Sequence, residues 1–164
     1  MQIQNLEQLY QHELEDLYDA EQRIHQAMER FIEAASSPEL TQRLRERRRT
    51  IEAHIEHLEH AFEAAGLQPN RDTCEATVGL IQEANDLIES NTSSNVLDAG
   101  LIASIQRIEH YKIAGYGTAR TYSRLLGYEG ATTWLETMLD SAGDFDAELT
   151  EMAQSRNMEA LAGS

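Results

Sequence analysis

The apolar residues of this chain recur at alternating steps of three and four positions, the spacing of one face of an α-helix. The first segment with this spacing covers residues 3 to 35, and its apolar stripe is Tyr10, Leu14, Leu17, Ile24, Met28, Phe31 and Ala35. Similar stripes cover residues 38 to 65, 95 to 126 and 130 to 154, and a shorter one covers residues 74 to 90. The pattern therefore predicts four long amphipathic helices and one short helix.

Short turn-forming segments separate the predicted helices. "SSP" (36 to 38) offers a serine N-cap with a proline for the first turn, and "GLQPN" (66 to 70) offers a glycine C-cap followed by proline. Because short loops join antiparallel neighbours, we expect two helical hairpins, with the short helix in the crossover between them. The sequence thus predicts an all-α, ferritin-like four-helix bundle with an additional short crossover helix.

The length of the chain, 164 residues, suits one domain with a single core and is short for two. We therefore expect one domain over residues 1 to 164. Its ordered core should cover about residues 3 to 154, and the tail from 155 to 164 should be frayed.

Composition narrows the possible partners and compartments. The formal net charge of −16 repels nucleic acid and anionic membranes and argues against both as partners. The arginine-rich segment "RLRERRR" (43 to 49) is interpreted as a solvated helix face, with an anion or partner site as the alternative. No apolar run is long enough to cross a bilayer, no secretory signal pattern is present, and the single cysteine, Cys74, excludes an intrachain disulfide. These features predict a soluble, cytoplasmic protein.

Four acidic residues fall on or beside the predicted inner faces of the long helices. Glu21 fills the missing position of the first stripe, and the others are Glu52, Glu109 and Asp146. A buried carboxylate is costly unless it is paired, protonated or bound to metal. Carboxylates that converge from facing helices, together with imidazole, are the ligands of di-iron and di-manganese sites in helical bundles. We therefore predict a polar layer in which these four residues are candidate metal ligands.

Three histidines follow one another at steps of three along the second long helix, namely His54, His57 and His60. Neighbours in this series are close enough to share a surface metal ion. A step of three drifts around the helix, however, and position 53, one turn before His57, is alanine rather than a carboxylate. We interpret the series as a solvated face, with a surface metal site as the alternative.

Several segments have a recognisable order and spacing, and they are "LYDAEQRI" (17 to 24), "AASSPEL" (34 to 40), "HLEHAFEAAG" (57 to 66), "CEATVGLIQEANDLIE" (74 to 89), "DAGLIASIQRIEHYKIAGYGT" (98 to 118) and "WLETMLD" with "DFDAELTEMA" (134 to 153). Together they resemble the bacterial YciE/YciF-type ferritin-like proteins over about residues 5 to 153. The resemblance implies a ferritin-like bundle that is usually dimeric, with a di-metal carboxylate site in many members. It also implies a role in bacterial stress responses without a defined biochemical activity.

Position by position, the resemblance retains four metal-site candidates, which are Glu21, Glu52, Glu109 and Asp146. Three other positions depart from the family pattern. Arg49 stands where the family usually has glutamate on the second long helix, Lys112 where it has glutamate one turn after Glu109, and Ala142 where it has glutamate on the last helix. The departures replace two carboxylates with cations and one with a methyl group.

These departures suggest that ion pairs have replaced the metal centre. Arg49 lies three residues before Glu52 and Lys112 three residues after Glu109, so each cation can reach the acid on its own helix. The same cations would repel an incoming metal ion. Our first hypothesis is a non-enzymatic, stress-associated homodimer without a cofactor, in which a salt-bridge network occupies the former di-metal site.

Two other interpretations stay open at this stage. The first is a functional di-iron or di-manganese protein, an oxidase or a peroxide-consuming enzyme, in which the cations Arg49 and Lys112 point away from the site. The second is an interaction module that uses the face with His54, His57 and His60 or the arginine-rich segment. No nucleophile and base pair, phosphate-binding loop or cofactor fingerprint identifies a substrate.

Overall fold

The computed structural model describes residues 3 to 163, and every regular element in that part of the chain is a helix. The elements in chain order are α1 (Leu6–Ala34), α2 (Pro38–Ala64), α3 (Glu75–Glu89), α4 (Ser94–Leu126) and α5 (Glu129–Ala162). The predicted all-α class, with four long helices and one short one, is confirmed. None of the helices in residues 3 to 163 combines the length and hydropathy needed to cross a membrane.

The end of α5 differs from the sequence-based prediction. The helix continues to Ala162, whereas the sequence predicted an end near residue 154 and a frayed tail beyond it. The added turns consist mostly of residues with high helix propensity, and Arg156 pairs with Glu159 one turn later at 2.9 Å. The predicted end was therefore about two turns too early.

Local signals at the helix ends act as the sequence suggests. The Ser37 side chain accepts a hydrogen bond from the backbone N–H of Leu40, and Pro38 occupies the first turn of α2. Gly66, which the sequence predicted to end α2, is in the left-handed conformation with φ of 69°, and Gly127 ends α4 in the same conformation with φ of 80°. Asp98 on α4 accepts hydrogen bonds from the backbone N–H groups of Ser36 and Ser37, both at 2.8 Å, and so fixes the α1–α2 turn against the second hairpin.

The four long helices form a bundle in which each packs against two others. α1 contacts α2 and α4, α5 contacts the same two helices, and α3 lies outside against α4 and α1. Gly115 lets α1 and α4 approach closely, because a Cβ atom at this position would lie 2.6 Å from the Leu17 side chain. This close pair of helices carries the polar residues at the centre of the bundle.

The buried apolar residues of the described chain form two clusters, one toward each end of the bundle. Along α1, Leu17 belongs to one cluster and Ile24 to the other, and Glu21 lies between them. α4 changes cluster between Ile108 and Tyr116 in the same way. A buried polar layer therefore separates the two apolar clusters, as the gaps in the hydrophobic stripes predicted.

A buried ion-pair ring as the candidate functional site

Two carboxylates from opposite hairpins meet at the centre of the bundle. Glu21 on α1 is fully buried, and Glu109 on α4 is 1% exposed. Each occupies a position that the helical repeat turns toward the core, so neither side chain can reach solvent without distorting its helix. Burial of two such groups requires compensating charge within the bundle.

Two cations supply this compensation. The Nζ atom of Lys112, which is fully buried, lies 3.2 Å from Glu21 Oε1 and 3.6 Å from Glu109 Oε1. Arg47 on α2 makes a two-point contact with Glu109, from Nη2 to Oε2 at 2.6 Å and from Nε to Oε1 at 3.1 Å. Charges therefore alternate along the series Glu21, Lys112, Glu109 and Arg47, and their formal sum is zero.

Two uncharged side chains close this series into a ring. His54 Nδ1 lies 3.2 Å from Glu21 Oε1, and His54 Nε2 lies 3.2 Å from Ser141 Oγ. Ser141 Oγ in turn accepts a hydrogen bond from Arg47 Nη1 at 2.9 Å. A neutral His54 with its proton on Nδ1 satisfies both contacts, because it donates to Glu21 and accepts from the Ser141 hydroxyl. The ion-pair ring thus comprises six residues from all four long helices: Glu21, Arg47, His54, Glu109, Lys112 and Ser141.

Two aromatic side chains pack against the buried residues of the ring. The Arg47 guanidinium lies 4.8 Å from the centre of the Phe145 ring, and the Lys112 ammonium lies 5.9 Å from the centre of the Tyr116 ring. Tyr116 also packs edge-on against His54, at 5.9 Å between ring centres. The ion pairs therefore act in a low-dielectric environment, where attraction between charges is strong and an unpaired charge is costly.

The protonation of Glu21 and His54 follows from these contacts. Burial alone raises the pKa of Glu21, but the Lys112 ammonium and the hydrogen bond from His54 outweigh it, and the pKa falls to about 2. Burial is the main cause that lowers the pKa of His54, and the positive charges of Lys112 and Arg47 lower it further. Glu21 acts in the opposite direction, but its effect is smaller than that of the others together. At neutral pH, Glu21 is therefore charged and His54 is neutral, as the ring requires.

The stability of the bundle is expected to fall on acidification in two steps. The unfolded chain takes up protons at His54 below its ordinary pKa of 6.5 and at Glu21 below 4.5, whereas the folded protein resists both. Stability should therefore decrease first below about pH 6.5 and again between about pH 4.5 and 2. In the second range, protonation of Glu21 alone should lower the free energy of unfolding by about 3 kcal/mol. Urea unfolding at a series of pH values measures both steps.

Replacement of single histidines shows which of them cause the loss of stability below about pH 6.5. His54→Gln should reduce the loss below pH 6.5, and His57→Gln should reduce it by less, because His57 is the less buried of the two histidines. Burial also lowers the pKa of His57, so part of the step should remain in His54→Gln. An identical pH dependence in His54→Gln and the native chain would contradict a neutral, buried His54.

Two residues predicted to lie in the polar layer are on the surface instead. Arg49 is exposed, and Glu52 is 60% exposed and binds His25 Nε2 at 3.0 Å. The assignment of α2 was wrong because its buried stripe runs through Leu40, Leu44, Arg47, Ile51, His54 and Leu58. This face turns positions 49 and 52 outward, and the inner cation of α2 is Arg47.

Asp146 also lies outside the ring, at the edge of the bundle. Its carboxylate accepts a hydrogen bond from Gln106 Nε2 at 3.1 Å and lies 3.1 Å from His110 Nε2. The buried face of α5 instead includes Leu135, Met138, Ala142, Phe145 and Leu149. Ala142 is buried as expected, and the only carboxylates that the structure brings together at the centre are Glu21 and Glu109 among residues 3 to 163.

The three histidines of α2 have separate environments. The interpretation as one solvated face is wrong for His54, which is buried in the ring. His57 and His60 stack on Trp134, at 4.5 Å and 5.6 Å between ring centres. Sequence reasoning also missed Arg47 and Ser141. The alternating steps of three and four along α2, applied to every position, would have identified Arg47 and His54, whereas nothing in the sequence distinguishes Ser141.

The residues at the centre do not fit a di-metal centre. Such a site draws four carboxylates and two histidines from a bundle, whereas residues 3 to 163 contain no group of three or more His, Cys, Asp or Glu placed to hold a metal ion. Glu21 Oε2 is buried without a hydrogen-bond partner among the described residues and is an available acceptor. The Lys112 ammonium, at 3.2 Å from the other oxygen of this carboxylate, opposes binding of a second cation there.

Comparisons with known proteins agree with the architecture. The family model described as "Domain of unknown function (DUF892)" matches residues 5–162. Protein YciF of Escherichia coli (strain K12) is 36% identical over 154 residues, which cover 93% of each chain. The crystal structure of the E. coli stress protein YciF has a TM-score of 0.91 at 35% identity and covers 94% of this chain and 98% of that one. YcfI of Rhodopseudomonas palustris, for which a structural role has been suggested, has a TM-score of 0.88 at 35% identity and covers 90% and 94%.

Proposed function

This chain belongs to the DUF892 family, and we propose that it is a non-enzymatic, stress-associated structural protein with a ferritin-like bundle. The E. coli relative YciF is described as a stress protein, and a structural role has been suggested for YcfI. In this proposal, the ion-pair ring occupies the centre where ferritin-like proteins of this type hold two metal ions. The ring joins the helices without a cofactor.

The position of the Lys112 ammonium carries the proposal. This group lies 3.2 Å from Glu21 Oε1 and 3.6 Å from Glu109 Oε1, the two carboxylates at the centre that would be available to hold a metal ion. A divalent ion at this place would overlap the ammonium group sterically and would be repelled by its positive charge. Arg47 adds a second positive charge beside Glu109. The cations therefore replace the metal ions electrostatically as well as spatially.

A structural role agrees with how the ring is distributed over the fold. Its six residues come from α1, α2, α4 and α5, and their contacts join α1 to α2 and α4, α2 to α5, and α2 to α4 across the bundle. Buried polar contacts of this kind accept few alternative helix registers, because a shift by one residue would leave a charge unpaired. A bundle held in this way keeps its packing independently of metal supply.

Metal analysis combined with activity assays tests the proposal. Protein purified without chelator, and then incubated with Fe(II) or Mn(II) under nitrogen and desalted, is expected to retain far less than one equivalent of metal. It is also expected to consume neither oxygen nor hydrogen peroxide above the protein-free rate. About two equivalents of retained metal per chain, or metal-dependent consumption of either oxidant, would support the di-iron or di-manganese enzyme instead.

The proposal includes a cytoplasmic location. Cys74, the single cysteine of the chain, is buried as a free thiol, and burial raises its pKa. A protonated, inaccessible thiol does not need an oxidising compartment for stability. Fractionation of cells that express the native chain tests this location, and recovery with the exported fraction would contradict it.

A further inference from the structure

Two charged groups of the ion-pair ring have hydrogen-bonding capacity that the described residues do not use. Glu21 Oε2 and Lys112 Nζ are both fully buried, and neither has a hydrogen-bond partner among residues 3 to 163. The ammonium lies 3.2 Å from Glu21 Oε1 and 3.6 Å from Glu109 Oε1, but these ion pairs do not have the geometry of hydrogen bonds. A buried acceptor and a buried donor are therefore unsatisfied beside each other.

The hydroxyl of Tyr116, which is also buried, is a third group of this kind. Its one hydrogen-bond contact among the described residues is with His54 Nδ1, at 3.5 Å. In the ring, however, His54 Nδ1 carries the proton that it donates to Glu21, so it cannot accept the proton of the Tyr116 hydroxyl. This hydroxyl is therefore a donor without an acceptor.

The three groups are close enough to share one ligand. Lys112 and Tyr116 are one turn apart on α4, with the ammonium 5.9 Å from the centre of the Tyr116 ring, and Glu21 reaches Lys112 from α1. Buried polar groups are seldom left without a partner, because they give up hydrogen bonds to solvent on folding. Three such groups at one place indicate a bound molecule that satisfies them together.

The charges at this place determine the class of ligand. The formal charges of the ring sum to zero, so a bound ion of either sign would be an unpaired buried charge. A cation would be repelled by Lys112, and an anion would be repelled by Glu21. The ligand must therefore be a small neutral molecule that donates to Glu21 Oε2 and accepts from Lys112 and Tyr116.

Water has this combination of donors and acceptors, and it also has a suitable size. One water molecule bridges two polar atoms that are up to about 5.6 Å apart. Lys112 Nζ and Glu21 Oε2 lie within this span, because Nζ is 3.2 Å from the other oxygen of the same carboxylate. Buried waters typically make about three hydrogen bonds, which is the number of unsatisfied groups at this place.

We propose that the ring binds one buried water molecule, which donates to Glu21 Oε2 and accepts from Lys112 Nζ and the Tyr116 hydroxyl. The water joins α1 to α4 at the level of the ring and satisfies the groups that the ion pairs leave over. This inference rests on the metal-free ring of the proposed function, because a metal ion bound to Glu21 would take the place of the water. Two ring residues, Arg47 and Ser141, line a surface groove of about 330 Å³ between α2 and α5, which offers solvent a route toward the ring.

Crystal structures of the native chain and of a central variant test the inference. The native chain, crystallised without chelator, should show a density peak about 2.6–3.2 Å from Glu21 Oε2, Lys112 Nζ and the Tyr116 oxygen. The peak should have no anomalous signal at the iron and manganese absorption edges. The central variant, Glu21→Met with Lys112→Met, should lack the peak, because it removes two of the three partners and leaves an apolar site. It keeps the net charge and the contact of Arg47 with Glu109.

Magnetic relaxation dispersion of water ¹⁷O counts long-lived internal waters in solution. The native chain should hold one more of them than the central variant. The matched control is Glu29→Met with Arg48→Met, which removes an ion pair of the same charges at the surface of α1 and α2. This control should hold as many long-lived waters as the native chain. Circular dichroism verifies that both variants are folded, and the native crystal structure decides the question if the central variant is not.

The outcomes separate this inference from the proposed function. A peak with an anomalous signal, at the distance of a metal ligand from Glu21, would overturn both. A native crystal structure without a peak between Glu21, Lys112 and Tyr116, in protein that retains no metal, would overturn the inference and leave the proposed function intact. Equal numbers of long-lived waters in the native chain and the folded central variant would overturn the inference as well.

Discussion

Replacement of Lys112 with methionine is expected to lower the free energy of unfolding by about 3–5 kcal/mol, a large part of the stability of a typical domain. Methionine has a similar length and flexibility, so the change removes the ammonium with little loss of packing. Without it, Glu21 loses its nearest cation, and Glu109 keeps only Arg47. Urea unfolding at pH 7, followed by circular dichroism, measures the difference.

The pH dependence of this variant separates a charge effect from a packing effect. In Lys112→Met, the pKa of Glu21 should rise, because burial is no longer opposed by the ammonium. Acidification should then protonate Glu21 in the folded state, and the difference from the native chain should narrow below about pH 5. Arg49→Met, at an exposed position of α2, should change stability by less than about 0.5 kcal/mol. An equal loss in both variants, or a loss independent of pH, would contradict the role assigned to Lys112.

The sequence predicted the helices well because their signals are local. Apolar spacing, the Ser37 cap and the left-handed Gly127 all act within a few residues of the positions they determine. The same spacing identified Glu21, since the stripe of α1 leaves a single inner position for it between Leu17 and Ile24. A polar residue in an otherwise regular stripe is therefore a strong indication of a buried charge.

The second helix shows where local patterns become insufficient. Residues 43 to 49 contain five arginines, and Ile55 adds an apolar side chain beside the true stripe, so that more than one face could be the inner one. The unbroken steps of three and four from Leu40 to Leu58 favour the face with Arg47. The contact of Arg47 with Glu109, which are 62 residues apart, establishes that this arginine is the buried one. The resemblance to YciE/YciF-type proteins placed the inner cation at Arg49, two residues from its actual position. The physical hypothesis of a replacement cation on α2 therefore applies to a different residue.

The last helix was ambiguous for a related reason. Its sequence contains two apolar series, and the one with Met138 and Phe145 faces the core, which moves Asp146 to the edge. The contribution of α5 to the ring is Ser141, a residue type that is common on surfaces and has no characteristic spacing. Cross-helix contacts of this kind depend on how the helices are rotated relative to one another, and a single sequence does not encode that rotation in any short segment.

Conversion of the ring into a cluster of carboxylates is expected to create a metal site. Arg47→Glu, Lys112→Glu and Ala142→Glu together would place five carboxylates and His54 at the centre of the bundle. Without metal, mutual repulsion and burial of these charges should leave the triple variant unfolded or strongly destabilised. Mn(II) or Co(II) should restore the fold, with a stabilisation of about 4 kcal/mol where free metal exceeds its dissociation constant a thousandfold. Absorption of bound Co(II) in the visible range and thermal unfolding with and without metal measure the effect.

The matched control carries the same change of net charge on the surface. Arg45→Glu, Arg49→Glu and Ala147→Glu alter exposed positions of α2 and α5, and this variant should fold without metal and gain little stability from it. A central triple variant that folds in the absence of metal and binds none would contradict the assignment of Arg47 and Lys112 as replacements for metal ions. Equal metal binding by both variants would contradict it as well, because metal binding would then depend on the net charge of the chain and not on the position of the carboxylates. Selective refolding of the central variant by metal would mean that the helices still provide the geometry of a di-metal site, and that two cationic side chains together with one methyl group account for its loss.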